Sequence, residues 1–276
     1  MSVRSRLQDR VAIVTGSSRG VGKSVALALA AEGCNIVVAA KTSEAHPRLP
    51  GTIHETADEV RKLGLRALPV VCNVREPDDV ERMREAALKE FGRIDILINN
   101  AGAIHWAPVA DWPVSRFDLV FDVNVRGAFL CSRAVLPAMR EAKFGRIVMM
   151  SPPVNVKRVS GKAPYLVSKM GMTMLAHAIA EEERESGISA NALWPVTMIE
   201  SEATRHFEMG KREEWRSARI LADATVEICC AEVKALSGRA LYDEEVLREL
   251  RGVTDFASYS VVPGTNPPPV CREMVE

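Results

Sequence analysis

Short apolar runs, rich in β-branched residues, recur along the chain and alternate with longer segments of helical period. They cover residues 11–15, 35–40, 67–72, 94–99, 145–150 and 188–193, and residues 238–242 could add a closing strand. Strands that are apolar along their whole length are typical of a parallel sheet whose two faces are both covered by helices. Because crossovers between parallel strands are right-handed, the sequence predicts a doubly wound α/β fold with about seven strands and helices on both faces.

Helical segments separate these strands. We predict helices at residues 21–32, 52–63, 77–91, 115–141 and 165–186, and a mostly helical region at 200–236. The 276 residues could form one large domain or two small ones, but they contain no internal repeat and no interdomain linker. We therefore predict a single domain over residues 1–276, with a core at about 8–242 and a Pro-containing C-terminal extension at 243–276. The prolines at 263, 267, 268 and 269 predict an extended tail without a fold of its own.

Charge and composition exclude several classes of function. The chain has 36 Lys and Arg against 36 Asp and Glu, so it lacks the basic excess that attracts nucleic acid. No apolar run reaches the ~20 residues that cross a bilayer, and the N-terminus has no apolar signal region. The six cysteines are scattered, form no C-x-x-C pair and do not cluster with histidines, so we predict no metal site. These features predict a soluble cytoplasmic protein that binds neither nucleic acid nor membranes.

A glycine-rich turn follows the first predicted strand. In Thr15-Gly-x-x-x-Gly-x-Gly22, the glycines permit a tight turn, close approach of a ligand to the backbone, and close packing of the next helix on the sheet. The free N–H groups at the start of that helix would then bind a pyrophosphate. The turn could instead be a structural junction only, but its position after the first strand of an α/β chain favours dinucleotide binding. The predicted contacts are Gly16, Ser18, Arg19, Gly20, Val21 and Gly22.

The end of the second predicted strand indicates which dinucleotide is bound. A carboxylate is expected there when the adenosine ribose has a free 2′-hydroxyl. The strand ends instead at Lys41, with no acidic residue, and Lys41 and Arg19 could both face a 2′-phosphate. The alternative is that both are solvated surface cations. We predict that the cofactor is NADP (NADPH) in preference to NAD.

Tyr165 and Lys169 form a second candidate site at the start of a predicted helix. Their i, i+4 spacing places the phenol and the ammonium on one face of the helix. An ammonium nearby favours the phenolate and so lowers the pKa of a tyrosine. Tyr165 could then exchange a proton with a carbonyl or alcohol oxygen while a nicotinamide carries the hydride. Alone, however, a Y-x-x-x-K pattern is common and weak.

Four ordered motifs give the chain a resemblance to a known family. They are Thr15-Gly-x-x-x-Gly-x-Gly22, Asn99-Asn-Ala-Gly102, Asn124-Val-Arg-Gly127 and Tyr165-x-x-x-Lys169. In order and spacing they resemble the short-chain dehydrogenase/reductase family over about residues 8–242. Finer similarities at 39–42, 151–153 and 191–195 point to one subgroup. The resemblance implies a Rossmann-like fold, a nicotinamide cofactor, carbonyl–alcohol redox chemistry and a homodimer or homotetramer.

The same resemblance assigns roles to individual residues. It implies that Tyr165 is the general acid/base, that Lys169 lowers the pKa of Tyr165 and holds the nicotinamide ribose, and that Asn124 supports a proton-relay water. Further cofactor contacts would come from segments that follow three other strands. They are Asn73, Val74, Asn100, Ala101, Gly102, Pro195, Val196, Thr197 and Met198.

The chain departs from the family pattern at three positions. The usual catalytic serine position, 13 residues before the tyrosine, is Pro152, and Ser151 is one residue earlier. Because successive side chains on a strand face opposite ways, we expect Ser151 to point away from the substrate, unless Pro152 disturbs the strand. Ser151 or Asn155 could supply the missing hydrogen bond. Asn73 replaces the usual aspartate near the adenine, and Val196 replaces the glycine after Pro195.

Two functions from different classes are compatible with these residues. The first is an NADP-dependent oxidoreductase acting on a small to medium apolar carbonyl or alcohol. The alternative is a dinucleotide-binding or scaffold protein whose catalysis weakened when the serine position became Pro152. Apolar residues after the strand ends would form the substrate pocket, although the two tryptophans among them could simply cap the core. The expected pocket residues are His105, Trp106, Pro153, Val154, Trp194, Met198 and Ile199.

Overall fold

A seven-stranded parallel sheet forms the centre of the protein. The computed structural model describes residues 6–45, 50–154 and 159–270. The strands are β1 (Val11–Thr15), β2 (Asn35–Ala40), β3 (Ala67–Val71), β4 (Ile96–Asn99), β5 (Gly145–Met150), β6 (Ile188–Trp194) and β9 (Ala240–Tyr242). Two further short strands, β7 (Met198–Ile199) and β8 (Trp215–Arg216), pair with each other outside this sheet.

The strand order is β3-β2-β1-β4-β5-β6-β9, and every pair within it is parallel. The order reverses between β1 and β4, so the loops that follow these two strands diverge. In a doubly wound sheet this switch point opens a crevice at the carboxyl ends of the strands, where ligands bind. The predicted fold class is confirmed.

Helices cover both faces of the sheet. They are α1 (Gly20–Ala31), α2 (Ile53–Lys62), α3 (Pro77–Phe91), α4 (Val114–Phe121), α5 (Gly127–Ala142), α6 (Ala163–Glu182), α7 (Glu202–His206), α8 (Arg219–Cys230) and α9 (Asp243–Arg251). The buried apolar residues separate into two cores. One core packs α1, α2, α8 and α9 on one face of the sheet, and the other packs α3, α5 and α6 on the opposite face.

Two predicted helical regions differ from the structure. The helix predicted at 115–141 is interrupted by a wider π turn at Asp122–Arg126, which contains the buried Asn124. Side-chain hydrogen bonds of Asn124 to a neighbouring loop hold this turn, and apolar periodicity does not report such contacts. The region 200–236 is helical only in α7, α8 and one short 3₁₀ turn at Arg212–Glu214. Between α7 and α8 the chain forms β8, which pairs with β7.

The folded core extends beyond the predicted boundary at residue 242. Helix α9 packs on α8, and Phe256 and Tyr259 are buried in the same core. The Tyr259 hydroxyl donates to Asp223 on α8 at 2.7 Å. The prolines further along predict an extended tail, whereas α9, which precedes them, has acidic residues in its first turn and basic residues in its last turn.

A buried ion cluster at the amino ends of β1 and β4 should dominate local stability. The Asp95 carboxylate is fully buried and accepts hydrogen bonds from Arg10, Arg93 and the Val11 backbone N–H. We expect Asp95→Ala to lower the free energy of unfolding by about 1–3 kcal/mol in urea titrations, because it leaves the buried Val11 N–H without its acceptor and removes the ion pairs with the partly exposed Arg10 and Arg93.

Asp58 provides the control for that measurement. Its ion pair with Arg61 is largely exposed, so Asp58→Ala should change stability by less than about 0.5 kcal/mol. Equal losses in the two variants would contradict a special contribution from the buried cluster.

Candidate active site

A groove of about 360 Å³ opens at the switch point between β1 and β4. Residues from the carboxyl ends of four neighbouring strands form it. They include Gly16, Ser18, Arg19, Lys41, Asn73, Val74, Asn100, Ala101 and Gly102. All of these were predicted as cofactor contacts, and the fold brings them together from four separate parts of the sequence.

The glycine-rich turn packs closely on the loop after β4. A Cβ atom at Gly16, where φ is +66°, would lie 2.9 Å from the Ala101 Cα, and one at Gly22 would lie 2.4 Å from the Asn100 Nδ2. Asn100 donates from that nitrogen to the Thr15 and Gly16 carbonyl oxygens. Gly20, with φ +56°, begins α1, which no side chain caps. The first N–H groups of a helix have no partner within the helix, so this end suits an anionic ligand.

Arg19 and Lys41 both line this groove, and no carboxylate is among its described lining residues. The Arg19 guanidinium also donates to the Pro50 and Gly51 carbonyl oxygens, at 2.8 and 3.0 Å. The segment that follows β2 is therefore attached to the glycine-rich turn, close to the end of the groove where an adenosine ribose is expected.

Tyr165 and Lys169 lie in a second cavity, of about 270 Å³, that adjoins the groove. The cavity also includes Val21, Asn100, Gly102 and Pro195. The Lys169 ammonium is buried, donates to the Met150 carbonyl oxygen at 2.9 Å, and lies 5.9 Å from the centre of the Tyr165 ring. Spacing on α6 and burial against β5 thus place both side chains at the carboxyl edge of the sheet.

Burial shifts the pKa values of both groups. It lowers the pKa of Lys169 to about 8, because desolvation disfavours the ammonium. It raises the pKa of Tyr165 above its usual range, because desolvation also disfavours the phenolate. The attraction between the two groups, from which the sequence predicts a lowered pKa of Tyr165, acts in the opposite direction.

Asn124 connects the π turn to α6. Its Nδ2 donates to the Ser168 Oγ at 2.9 Å and to the Ala103 carbonyl oxygen at 3.0 Å, and its Oδ1 accepts from the Ala103 N–H. Ser168 in turn donates to the Tyr165 carbonyl oxygen at 2.6 Å. The amide therefore fixes the position of Tyr165 through the first turns of α6.

At the end of β5, where the usual serine position is Pro152, the Ser151 hydroxyl is directed at α6, as the alternation of side chains along a strand predicts. The Ser151 hydroxyl donates to the Lys169 carbonyl oxygen at 2.7 Å and lies 3.1 Å from the Thr173 Oγ1, so its hydrogen bonds connect β5 to α6. Ser151 and Pro152 both line the cavity that contains Tyr165, and Pro152 has no donor to offer. The Ser151 hydroxyl is thus hydrogen-bonded to α6 at the edge of this cavity. Asn155 lies outside the described residues.

The loop after β6 borders the same cavity. Pro195, Thr197 and Met198 line cavities that also include Tyr165, whereas Val196 is buried behind them. The Val196 N–H donates to the Asp243 carboxylate at 3.0 Å. Burial raises the pKa of Asp243 to about 7.

Apolar residues continue the site outward from Tyr165. Trp106, Pro153, Met198 and Ile199 line a cavity of about 270 Å³ next to the Tyr165 ring, as expected for a substrate pocket. Trp194 does not take part: it is buried, and its indole N–H donates to Thr173. His105 packs edge-on against the ring of Trp112. The two tryptophans therefore occupy different places: Trp106 lines the pocket, and Trp194 caps the core.

The groove and the two cavities fit a nicotinamide dinucleotide. A close-packed glycine turn at an uncapped helix start suits a pyrophosphate. The end of the groove that Arg19 and Lys41 line suits a phosphorylated ribose. Lys169 and the loop 195–198 lie at the other end, beside Tyr165. Among the residues with described placement, no group of three or more His, Cys, Asp or Glu could hold a metal ion.

Sequence reasoning missed the supporting residues of this site. Thr15 donates to the Ile98 carbonyl oxygen and accepts from the Asn100 and Ala101 N–H groups, which fixes β1 to the loop after β4. Ser168 and Thr173 carry the hydrogen bonds of Asn124 and Ser151, and Asp243 holds Val196. Thr15 was visible within the glycine motif, but no local pattern distinguishes the other three.

A doubly wound sheet with this site defines a dinucleotide-dependent dehydrogenase. Comparison of the sequence with known families gives the same class. The family model for short chain dehydrogenases matches residues 10–211. The chain belongs to this family, and its membership supports an oxidoreductase that acts on CH–OH groups.

Among known proteins, the chain is similar to hydroxysteroid dehydrogenase-like protein 2. It is 40% identical to the Homo sapiens protein and 39% identical to that of Pongo abelii, each over 262 residues, or 94% of this chain. That match spans 62% of the length of these curated relatives. The resemblance to one subgroup, expected from the finer sequence similarities, is confirmed.

Two crystal structures share the fold over nearly the whole chain. A protein assigned as a dehydrogenase from Xanthomonas campestris is 36% identical, with a TM-score of 0.91 over 98% of this chain and 99% of that one. A short chain dehydrogenase from Mycobacterium thermoresistibile is also 36% identical, with a TM-score of 0.88 over 95% and 94% of the two chains.

Proposed function

We propose that the protein is an NADP-dependent oxidoreductase that interconverts a carbonyl and a primary or secondary alcohol on a small to medium apolar substrate. One observation supports this most strongly. Tyr165 and Lys169 share a cavity that joins a dinucleotide groove on one side and an apolar pocket on the other. A proton donor is thus located where a cofactor and an apolar carbonyl compound would meet.

Each residue then has a defined task during carbonyl reduction. When bound, NADPH supplies the hydride that adds to the carbonyl carbon. Tyr165 donates its phenolic proton to the carbonyl oxygen, so that the product is a neutral alcohol. The Lys169 ammonium stabilises the phenolate left on Tyr165 and would bind the nicotinamide ribose. Asn124 holds α6 in register and, as the family resemblance implies, would support the water that returns the proton.

The residues around Pro152 modify this scheme. Without a hydroxyl at that position, the substrate oxygen loses one hydrogen bond, and the loss of one such donor typically costs about 10²–10³ in rate. We infer that Ser151 holds β5 against α6 and does not contact the substrate. Turnover should therefore be slow, but it should remain measurable.

Reversing the charge of Lys41 tests the proposed preference for NADP. Lys41→Asp should lower kcat/KM for NADPH about tenfold or more, because it replaces an attraction to the 2′-phosphate with a repulsion. The value for NADH should change little. Steady-state assays with both cofactors make the comparison.

Lys62→Asp, an exposed charge reversal on α2 outside the groove, is the matched control and should alter neither value. Equal kcat/KM values for NADH and NADPH in the wild-type protein would refute the preference.

Oligomerisation and location complete the proposal. Phe129 on α5 and Met174 on α6 are exposed apolar side chains, and a groove of about 920 Å³ runs between α3, α5 and α6. The exposed apolar side chains on α5 and α6 support a homodimer or homotetramer that packs through the long helices. Within the parts of the chain that the structure describes, no helix has the length and apolarity to cross a bilayer. The cytoplasmic location stays a prediction.

A panel of carbonyl compounds tests the activity directly. We expect NADPH oxidation with at least one apolar ketone or aldehyde, and its loss in Tyr165→Phe. If the wild-type protein and this variant bind NADPH equally and oxidise it equally slowly with every compound, the protein is a dinucleotide-binding scaffold and the proposed oxidoreductase function is wrong.

A further inference from the structure

The C-terminal segment (residues 260–270) returns to the loop that borders the candidate active site. Trp215 and Arg216 form β8, which pairs with Met198 and Ile199 of β7. On its other side, β8 meets the C-terminal segment: Arg216 forms an antiparallel bridge with Ser260, and the Val261 N–H donates to the Trp215 carbonyl oxygen at 3.0 Å. The loop after β6, which borders the candidate active site, is therefore hydrogen-bonded through β7 and β8 to the C-terminal segment.

A turn then directs the segment back toward the cavity. The Ser260 hydroxyl donates to the Thr265 carbonyl oxygen, and the Thr265 hydroxyl donates to the Val262 carbonyl oxygen. Gly264 in this turn has φ +80°, a conformation that favours glycine. These hydrogen bonds hold the turn that precedes the prolines.

The segment makes a second contact at Val196. The Val270 N–H donates to the Val196 carbonyl oxygen at 2.8 Å. On the other side of the same residue, the Val196 N–H donates to Asp243 at 3.0 Å. Both backbone groups of Val196 are thus held by residues that follow the last strand of the sheet.

The end of the segment also forms part of a cavity wall. Pro268, Pro269 and Val270 line an outer cavity of about 640 Å³, together with Trp106, Met198 and Phe207. Val270 and Trp106 also line the inner cavity that contains the Tyr165 ring. The two cavities share these side chains, so apolar surface continues from the reacting group to the C-terminal segment.

We propose that the C-terminal segment is the outer wall of the substrate site, and that Val270 selects carbonyl compounds with an elongated apolar chain. This proposal rests on the oxidoreductase function proposed above. A short ketone would occupy only the space around Tyr165, whereas a long one would also contact Trp106, Met198 and Val270. Burial of each further methylene in such a pocket favours the longer substrate.

Two ketones and a bulky substitution test the proposal. Val270→Trp keeps the N–H to Val196 and fills part of the outer cavity, away from Tyr165, so it should lower kcat/KM for 2-decanone about tenfold or more. The value for 2-butanone and the NADPH dissociation constant should stay within about twofold. Asn266→Trp, on an exposed residue of the same segment that lines neither cavity, should change neither ketone's value. Equal losses for both ketones in Val270→Trp, or no loss for either, would overturn the proposal.

A second pair of variants separates the hydrogen bond from the side chain. Val270→Pro removes the N–H, whereas Val270→Ala keeps it and removes only two methyl groups. We expect Val270→Pro to remove most of the preference for 2-decanone over 2-butanone, and Val270→Ala to keep that preference within about threefold. Retention of the full preference in Val270→Pro would contradict the role of the hydrogen bond.

Calorimetric titration distinguishes failure of this proposal from failure of the proposed function. If the wild-type protein reduces neither ketone, the wider panel of carbonyl compounds decides the oxidoreductase function, and binding of 2-decanone alone decides the role of the segment. If 2-decanone binds more weakly to Val270→Trp than to the wild type and Asn266→Trp, the result would support the C-terminal segment as the outer wall of the substrate site. Equal binding in all three, or no binding to the wild type, would refute it.

Discussion

Replacing Tyr165 with phenylalanine is expected to reduce carbonyl reduction by about 10³-fold or more while leaving NADPH affinity within about twofold. The substitution removes the proton that the carbonyl oxygen must receive and keeps the ring, which packs 6.0 Å from the ring of Trp106. The cavity should therefore keep its shape. Single-turnover measurements of NADPH oxidation, together with a fluorescence titration of NADPH, separate the chemical step from cofactor binding.

Tyr259→Phe is the matched control. Its hydroxyl donates to Asp223 on α8 and takes no part in the cavities around Tyr165, so kcat should stay within about twofold of the wild type. A Tyr165→Phe variant that keeps more than about a tenth of wild-type kcat would exclude Tyr165 as the proton donor.

Lys169 is expected to control how kcat/KM for carbonyl reduction depends on pH. Burial lowers the pKa of Lys169 to about 8, so the ammonium is present below that pH and is lost above it. Because the ammonium stabilises the phenolate formed during reduction, kcat/KM for reduction should fall as the pH rises through about 8. Lys169→Met should lower kcat about 10²–10³-fold at pH 7 and remove this fall.

Lys169→Arg distinguishes loss of charge from loss of structure. A guanidinium keeps its proton throughout the accessible pH range, so the fall near pH 8 should disappear even if overall activity is lower. Lys89→Met, on an exposed residue of α3, should reproduce the wild-type profile. A profile that keeps its fall near pH 8 in Lys169→Arg would assign the titration to another group.

Asp243 illustrates what the sequence could not reveal. It begins α9 and its Oδ1 accepts from the Val196 and Glu244 N–H groups, whereas its Oδ2 is buried with no hydrogen-bond partner in the described structure. Val196 and Asp243 are 47 residues apart. Only the parallel pairing of β6 with β9 brings the loop and this carboxylate together, and nothing in the local sequence of either strand indicates that contact.

The π turn at Asp122–Arg126 is a second feature that the local sequence does not predict. The apolar pattern of residues 115–141 predicted one helix, and a helix does continue on either side of the turn. The wider turn depends on hydrogen bonds from Asn124 to Ala103 and Ser168, which lie on other elements. Periodicity predicts where a chain is helical, but it does not predict where a side chain interrupts the regular hydrogen bonds.

The sequence by itself determined the sheet, the glycine-rich turn and the Tyr165–Lys169 pair. Each depends on local patterns: apolar strands that must be buried on both faces, glycines that permit close approach, and i, i+4 spacing on a helix. Only the tertiary structure decided that Ser151 faces α6, that Trp106 lines the pocket while Trp194 caps the core, and that the Pro-rich C-terminal segment reaches Val196. These features depend on contacts between residues far apart in the chain, which parallel strands and their crossovers bring to one edge of the sheet.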